Sequence, residues 1–142
     1  MNAQAAFRYQ QVSTHSAVQE ASPHTLIQML LKGALDKIAY AKGNMARNQV
    51  AEKGQNIGKA VAIVMALQNS LDLKIGGELA SNLFLLYDYM TRKLIYANKE
   101  NDPQALDEVS ELLLEIKSGW DQIPEDIRTM DRDSLTGGMS IG

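Results

Sequence analysis

The sequence predicts an all-α protein, an antiparallel up-down four-helix bundle with an irregular N-terminal segment and a mobile C-terminal tail. Residue types that favour helix dominate the 142-residue chain, which is 45% hydrophobic and only 6% aromatic. Apolar residues recur at alternating spacings of three and four over four segments, as on one face of a helix. The connections between these segments are short, which favours antiparallel neighbours packed at a shallow crossing angle.

The starts of the first and fourth helices are marked by a capping side chain followed by proline. Ser22 precedes Pro23, and Asp102 precedes Pro103. Proline at the first helical position loses nothing, because its missing N–H would be unpaired there anyway. The first helix is predicted from Pro23 until its pattern weakens at residues 44–48. Its apolar stripe is Ile27, Leu31, Ala34, Ile38, Ala41 and Met45.

The second helix is predicted from about Val50 to Ser70. Its interior glycines, Gly54 and Gly58, each cost about 1 kcal/mol relative to alanine. Residues 72–77, which end in Gly76-Gly77, are predicted to form the turn to the third helix. The stripe of the second helix is Ile57, Ala60, Val64, Leu67 and Leu71.

The third helix is predicted from Glu78 to about Lys99, and the fourth from Pro103 to about Gln122, with Pro124 ending it. The outer face of the fourth helix is acidic and is expected to face solvent. The stripe of the third helix is Leu79, Leu83, Leu86, Met90, Leu94 and Ala97, and that of the fourth is Leu106, Val109, Leu113, Ile116 and Trp120.

Three regions follow from this pattern. Residues 22–122 are predicted to be the helical bundle. Residues 1–21 are irregular but contain Phe7, Tyr9 and Val12, which give the segment something apolar to dock. Residues 123–142 mix charges with Thr136-Gly137-Gly138 and have little to bury, so a flexible tail is expected.

The helices carry more apolar residues than one core stripe requires. Each of these residues alone is compatible with an ordinary wide core stripe. As a set they indicate a partner groove, and the seven methionines suit the binding of a flexible chain. The surplus residues are Leu26, Met29, Leu30, Val61, Ile63, Met65, Phe84, Leu85, Tyr87, Tyr89 and Ile95.

The composition argues against catalysis, metal binding and nucleic-acid binding. The chain has no cysteine, and its two histidines, His15 and His24, lack a partner at ligand spacing. They are expected to be surface or capping-region residues. Gly76-Gly77 lacks the pattern of a phosphate loop. The net charge is −3 without a basic cluster, so no nucleic-acid partner is expected. We predict a protein that is not an enzyme and has no cofactor.

The hydropathy pattern predicts a cytoplasmic protein that does not insert into a membrane. The first 19 residues lack the apolar stretch of a secretory signal. The longest apolar run, residues 60–67, is far shorter than the roughly 20 residues that a spanning helix needs.

Several short strings occur in a fixed order over roughly residues 7 to 122, from the N-terminal segment to Trp120 in the fourth helix. The strings are Tyr9-Gln10-Gln11-Val12, Ala21-Ser22-Pro23-His24-Thr25-Leu26-Ile27-Gln28-Met29-Leu30, Gly33-Ala34-Leu35, Ile57-Gly58-Lys59-Ala60, Leu67-Gln68-Asn69-Ser70-Leu71-Asp72, Gly76-Gly77-Glu78-Leu79-Ala80-Ser81-Asn82-Leu83, Leu86-Tyr87-Asp88-Tyr89-Met90 and Ala97-Asn98. In this order they resemble the flagellar secretion chaperone family, FliS.

This resemblance implies an export chaperone. Members of the family bind the disordered C-terminal segment of flagellin in the cytoplasm, prevent premature polymerisation, and keep the subunit competent for type III export. Some members also contact an anti-sigma factor or the export gate, and neither nucleotide nor metal is involved. By the same resemblance, the segment around Phe7, Tyr9 and Val12 is expected to cover part of the groove and to move when flagellin binds.

The client surface is expected on the second and third helices, where the apolar surplus is largest. Asn82 is expected to offer the client backbone a hydrogen bond beside the apolar stripe. The predicted flagellin-binding residues are Ile57, Val61, Ile63, Val64, Leu67, Leu71, Asn82, Leu83, Leu86, Tyr87 and Met90.

Three other interpretations of the apolar surplus stay open. The first is a helical adaptor or regulator-binding bundle with another main partner. The second is a bundle enzyme or metal carrier. In the third, the surplus surface pairs with itself in a homodimer. The oligomeric state expected is a monomer or a weak homodimer.

Overall fold

The computed structural model describes residues 22–123, and within this range the chain forms four α-helices and no strand. The predicted N-terminal segment, with Phe7, Tyr9 and Val12, and residues 124–142 of the predicted tail lie outside the described residues. The prediction of an all-α four-helix bundle is confirmed. The helices are α1, Pro23–Ala46; α2, Val50–Asn69; α3, Leu73–Glu100; and α4, Pro103–Asp121.

The four helices enclose one apolar core. Each helix packs against the next one in the chain, and α1 also packs against α4, which closes the bundle. The connections are residues 47–49, 70–72 and 101–102, so consecutive helices run in opposite directions. Each large side chain buried here adds about 2 kcal/mol of hydrophobic stabilisation. The largest apolar ones are Leu31, Ile38, Leu67, Met90, Leu94, Leu106 and Leu113.

The backbone amides at the starts of α1 and α4 are capped by the side chains that the sequence predicts for this role. The Ser22 hydroxyl accepts a hydrogen bond from the Thr25 amide, and the Asp102 carboxylate accepts from the amides of Gln104 and Ala105. The connections after α1 and α3 use Asn48 and Asn101, whose φ angles are 56° and 52°. Asparagine tolerates this left-handed conformation better than most residues do.

The start of α3 differs from the prediction. A turn was predicted over residues 72–77, but the helix begins at Leu73 and breaks at Gly77, where φ is 56° and ψ is −133°. The Asp72 carboxylate caps the first turn by accepting from the amides of Lys74 and Ile75. A helical turn therefore fits inside the predicted loop, and Gly77 redirects the chain because glycine has no Cβ to oppose that backbone conformation.

The phase of α3 after this break corrects one predicted core position. Leu79 was placed in the core stripe, but its side chain is 70% exposed, whereas Ala80 is buried. The break at Gly77 sets where the helix restarts, so the apolar periodicity of the first residues does not fix which of them face inward. From Tyr87 onward the buried face includes Met90, Leu94 and Ala97, as expected from the stripe.

Candidate partner-binding groove

Nearly half of the predicted flagellin-binding residues lie in the core. They are at most 3% exposed, so in this conformation their side chains offer almost no surface to a partner. These five residues are Ile57, Val64, Leu67, Tyr87 and Met90.

The other six residues are accessible but lie on different sides of the bundle. Ile63 faces α1, because a Cβ built on Gly33 would lie 3.4 Å from its Cδ1 atom. Asn82, which is exposed, precedes Tyr89 by seven residues on the same face of α3, and Tyr89 donates a hydrogen bond to Glu108 of α4. Asn82 therefore lies toward α4. The remaining four, Val61, Leu71, Leu83 and Leu86, are partly buried against the core.

Two hydrogen bonds fix how α2 and α3 run past each other. The Gln68 side-chain amide donates to the carbonyl oxygen of Phe84 at 3.1 Å. Near the other end, the Lys53 ammonium donates to the carbonyl oxygen of Asn98 at 3.0 Å. In both pairs the residue numbers sum to nearly the same value, as an antiparallel register requires. Val61 is thereby level with residues 90–91, and Met65 with residues 86–87.

From this register, steps of four and three define the outer edge of each helix. On α2 the edge runs back from Gln68, and on α3 it runs forward from Phe84. We call the surface between these two edges the α2–α3 groove. Its residues are Gly54, Gly58, Val61 and Met65 on α2, and Phe84, Asp88, Thr91 and Ile95 on α3.

Both edges of the α2–α3 groove expose apolar side chains, beside the charged Asp88 on α3. A Cβ built on Gly54 or Gly58 would meet no other atom within 4 Å. At these two positions of the α2 edge no side chain projects from the helix, so its backbone is accessible. Met65, Phe84 and Ile95 are exposed by 47%, 38% and 55%. Small residues along one wall let another helix approach closely, and the large side chains provide apolar contact area.

Of the groove residues, only Val61 is among the predicted flagellin-binding residues. Met65, Phe84 and Ile95 belong to the apolar surplus but were not selected, because most of the selection followed the core stripes. The signal that identifies the groove is a second heptad stripe offset from the core, over residues 54, 58, 61, 65 and 68. This stripe is hard to recognise because two of its members are glycines.

The far end of the groove adjoins a buried lysine. Lys53 is only 6% exposed, and its ammonium also donates to the Asn101 side-chain oxygen at 3.0 Å. Both of its acceptors belong to the C-terminal end of α3, where the helix dipole favours a positive charge. Beside it lies a cavity of about 210 Å³. The cavity is lined by Asn44, Met45, Asn48, Gln49, Val50, Lys53 and Asn101.

His24 joins the start of α1 to the end of α4. It lies in the capping region of α1, one of the two positions expected for it, but it is buried, with only 1% of the residue exposed. The imidazole stacks on Trp120 with ring centroids 4.9 Å apart, and the Trp120 indole donates to the His24 carbonyl oxygen at 2.9 Å. Next to this pair, two hydrogen bonds lower the pKa of Asp121. The bond from Lys117 has the larger effect, and the bond from Gln28 the smaller one.

The acidic face of α4 is partly engaged rather than purely solvated. Asp107 forms an ion pair with Lys42 of α1, and Glu108 accepts from the Tyr89 hydroxyl and lies 4.0 Å from the Lys93 ammonium. The hydrogen bond to Glu108 raises the pKa of Tyr89.

Over residues 22–123 no cluster of three or more histidine or acidic side chains could hold a metal ion. In that range, no helix combines the length and apolarity needed to cross a membrane.

Comparison with known protein families assigns the chain. The family model described as flagellar protein FliS matches residues 4–126. The chain belongs to the FliS family. The match covers all four helices and also most of the N-terminal segment that contains Phe7, Tyr9 and Val12.

Individual FliS proteins are similar to the chain over most of its length. The flagellar secretion chaperone FliSB of Pseudomonas aeruginosa is 54% identical over 116 residues, which cover 82% of this chain and 92% of the relative. The flagellar secretion chaperone FliS of Vibrio cholerae is 42% identical over 122 residues, covering 86% and 90%. That of Salmonella typhimurium is 47% identical over 116 residues, covering 81% and 86%.

Proposed function

We propose that this FliS protein is a cytoplasmic export chaperone that binds the disordered C-terminal segment of flagellin. Bound in this way, the segment cannot polymerise prematurely, and the subunit stays competent for flagellar type III export. The names of the relatives support a chaperone role in flagellar secretion. The observation that supports the proposal is the open α2–α3 groove, which is long enough for an apolar client segment of several helical turns.

A helix is the client conformation that fits this groove best. The groove is bordered by two parallel edges with heptad spacing, into which the apolar face of an amphipathic helix can pack. Gly54 and Gly58 leave room for close backbone approach, while Met65 adapts its shape to the client. A disordered segment loses conformational entropy when it folds on the groove, so it needs a long apolar contact to bind tightly.

The direct test is calorimetric titration of the protein with a peptide that spans the C-terminal few dozen residues of flagellin from the same cell. We expect one-to-one binding with a large negative heat-capacity change, because folding onto the groove removes apolar surface from water. No heat, together with no binding of full-length flagellin, would contradict the proposal and favour the adaptor with another main partner.

Filling the groove should block the client without harming the fold. Gly58→Leu introduces a large side chain where a Cβ has open space, and leucine favours helix more than glycine does. We expect the affinity for the peptide to fall by roughly tenfold or more. Thermal stability should be unchanged or increased. The matched control is Gly119→Leu, since Gly119 on α4 is equally open but outside the groove. Equal peptide affinity of both variants would place the client elsewhere.

We further propose that residues 1–21, through Phe7, Tyr9 and Val12, cover part of the groove in the free protein. A segment that competes with the client lowers its apparent affinity by the fraction of protein in which the groove is covered. Deletion of residues 1–15 should therefore strengthen peptide binding and lower thermal stability. If affinity and stability both stay unchanged, the cap proposal is wrong while the chaperone proposal is unaffected.

A further inference from the structure

The α2–α3 groove leads into the cavity beside Lys53. One step of four back from Gly54 along the α2 edge is Val50, which is 71% exposed and lines the cavity. On α3 the step of three beyond Ile95 is Asn98, whose carbonyl oxygen accepts from the Lys53 ammonium. An apolar segment that lies in the groove therefore meets this cavity of about 210 Å³ where the groove ends.

The amide side chains that line the cavity have their oxygen atoms engaged. The Asn101 oxygen accepts from Lys53, and the Gln49 oxygen accepts from both Asn44 and Arg47. An amide side chain whose oxygen is occupied still has two N–H donors on its nitrogen. The lining of the cavity is therefore richer in donors than in acceptors, and a ligand with acceptor atoms fits it best.

The charge beside the cavity is positive. Lys53 is only 6% exposed, and both of its acceptors, the Asn98 carbonyl and the Asn101 side-chain oxygen, are neutral. An ammonium group has three N–H donors, and these bonds use two of them. Among the described residues that line the cavity, none is acidic. A buried cation with only neutral acceptors favours a negatively charged ligand, because it has lost most of its water.

The proposed client carries such a group, because a C-terminal segment ends in an α-carboxylate. We propose that the cavity at the Lys53 end of the α2–α3 groove binds this terminal carboxylate and so fixes the direction and register of the client helix. This inference rests on the proposed function, to which it adds a polar anchor that recognises a chain end.

The proposal defines how the client lies in the groove. The client helix runs antiparallel to α2 and parallel to α3, with its end at Lys53. Its dipole then also places negative charge beside the ammonium. The α2 edge from Gly54 to Met65 spans about three helical turns, so the last three turns of the client occupy it.

A chemical change at the end of the peptide tests this site without any change to the protein. Two peptides with the sequence of the flagellin C-terminal segment are compared by calorimetric titration, one with a free terminal carboxylate and one with a terminal amide. The amide keeps the apolar contacts but removes the charge, so we expect the affinity to fall by roughly tenfold or more. A peptide extended by a pair of glycines should lose affinity to a similar extent, because its carboxylate is displaced from the cavity.

Two substitutions at matched helix positions locate the carboxylate on the protein. Val50→Glu adds a negative charge at the mouth of the cavity, and Leu73→Glu adds one at the opposite end of the bundle. Both residues are exposed and begin a helix, where a carboxylate is favourable, so both variants should fold. Val50→Glu should remove the difference between the two peptides, whereas Leu73→Glu should retain it.

Lys53→Met removes the cation itself and should bind both peptides with the affinity that the wild type has for the amide. Equal affinity of the wild type for the two peptides would overturn this inference and leave the chaperone proposal intact. So would a preference for the free carboxylate that survives both Val50→Glu and Lys53→Met, since the carboxylate then lies elsewhere. Binding of neither peptide, together with no binding of full-length flagellin, would overturn both proposals.

Discussion

At the scale of single residues, the buried polar side chains fasten helices together at the two ends of the bundle. Lys53 connects the start of α2 with the end of α3, and the His24–Trp120 pair connects the start of α1 with the end of α4. The Lys53 ammonium is bonded to two neutral acceptors, and the His24 imidazole stacks on the Trp120 ring. Both groups therefore have protein contacts in place of water. Burial of such groups is tolerable only when these contacts are present.

Lys53→Met should destabilise the bundle although methionine keeps the apolar stem of the side chain. The substitution removes two hydrogen bonds and leaves the carbonyl of Asn98 and the side-chain oxygen of Asn101 without their donor. We expect a loss of about 1–3 kcal/mol in the free energy of unfolding, measured in urea. Lys59→Met, at an exposed position of α2, should change it by less than about 0.5 kcal/mol. Equal values for both variants would mean that the buried ammonium gives no net stabilisation.

Tyr87 should make stability depend on pH at the alkaline end. Burial raises the pKa of Tyr87 to about 12, whereas a tyrosine in the unfolded chain titrates near 10. Between these values the unfolded state has lost the proton and the folded state keeps it. The free energy of unfolding therefore falls as pH rises from about 10 to about 12, by roughly 2 kcal/mol from this residue.

Tyr87→Phe tests this origin of the pH dependence, because it removes the titrating group and keeps the ring. Urea unfolding of the variant at several pH values should give a shallower decline than the wild type. Tyr40→Phe, which removes a tyrosine that is 55% exposed, should retain the wild-type decline. If the two variants give the same slope, Tyr87 is not the source of the alkaline destabilisation.

At the scale of elements, the sequence was most informative where a local signal has a local cause. The Ser22-Pro23 and Asp102-Pro103 pairs predicted the starts of α1 and α4, because capping and proline geometry depend only on neighbouring residues. The phase of α3 could not be predicted in the same way. It depends on the backbone angles at Gly77, and glycine is compatible with several conformations.

Gly77→Ala should therefore destabilise α3 for a purely conformational reason. A Cβ at Gly77 would meet no atom within 4 Å, but its φ of 56° with ψ of −133° is strained for any residue with a side chain. We expect a loss of about 1–3 kcal/mol, measured by urea unfolding. In contrast, Gly54→Ala, in the interior of α2, should stabilise by about 0.5–1 kcal/mol. A neutral effect of Gly77→Ala would mean that the chain can pass this point in another conformation.

At the scale of the whole molecule, periodicity within the helices predicts the fold more directly than it predicts a binding surface. Core stripes are set by periodicity within each helix, so Leu31, Met90 and Leu106 could be assigned to the interior correctly. A groove between two helices depends also on their relative register, which hydrogen bonds such as Gln68 to Phe84 determine. Sequence periodicity contains no such information. Most of the selected client residues therefore followed the core stripes, and of the groove residues only Val61 was selected.

The single core that spans all four helices predicts cooperative unfolding of the whole bundle. Trp120 is the only tryptophan of the chain, and its stacking on His24 makes its fluorescence a local probe of the end where α1 begins. Because α1 and α4 share the core with α2 and α3, we expect its transition in urea to coincide with that of helix content measured by circular dichroism.

The Lys53→Met variant makes this prediction sharper, because Lys53 lies at the opposite end of the antiparallel bundle from Trp120. If the bundle is one cooperative unit, loss of contacts at the Lys53 end must lower the midpoints of both probes equally, although Trp120 touches none of the altered groups. A shift in helix content with an unchanged fluorescence midpoint would instead divide the molecule into two independently melting ends. In that case, binding of a client along the α2–α3 groove, which runs between the two ends, would have to be coupled to partial unfolding of one of them.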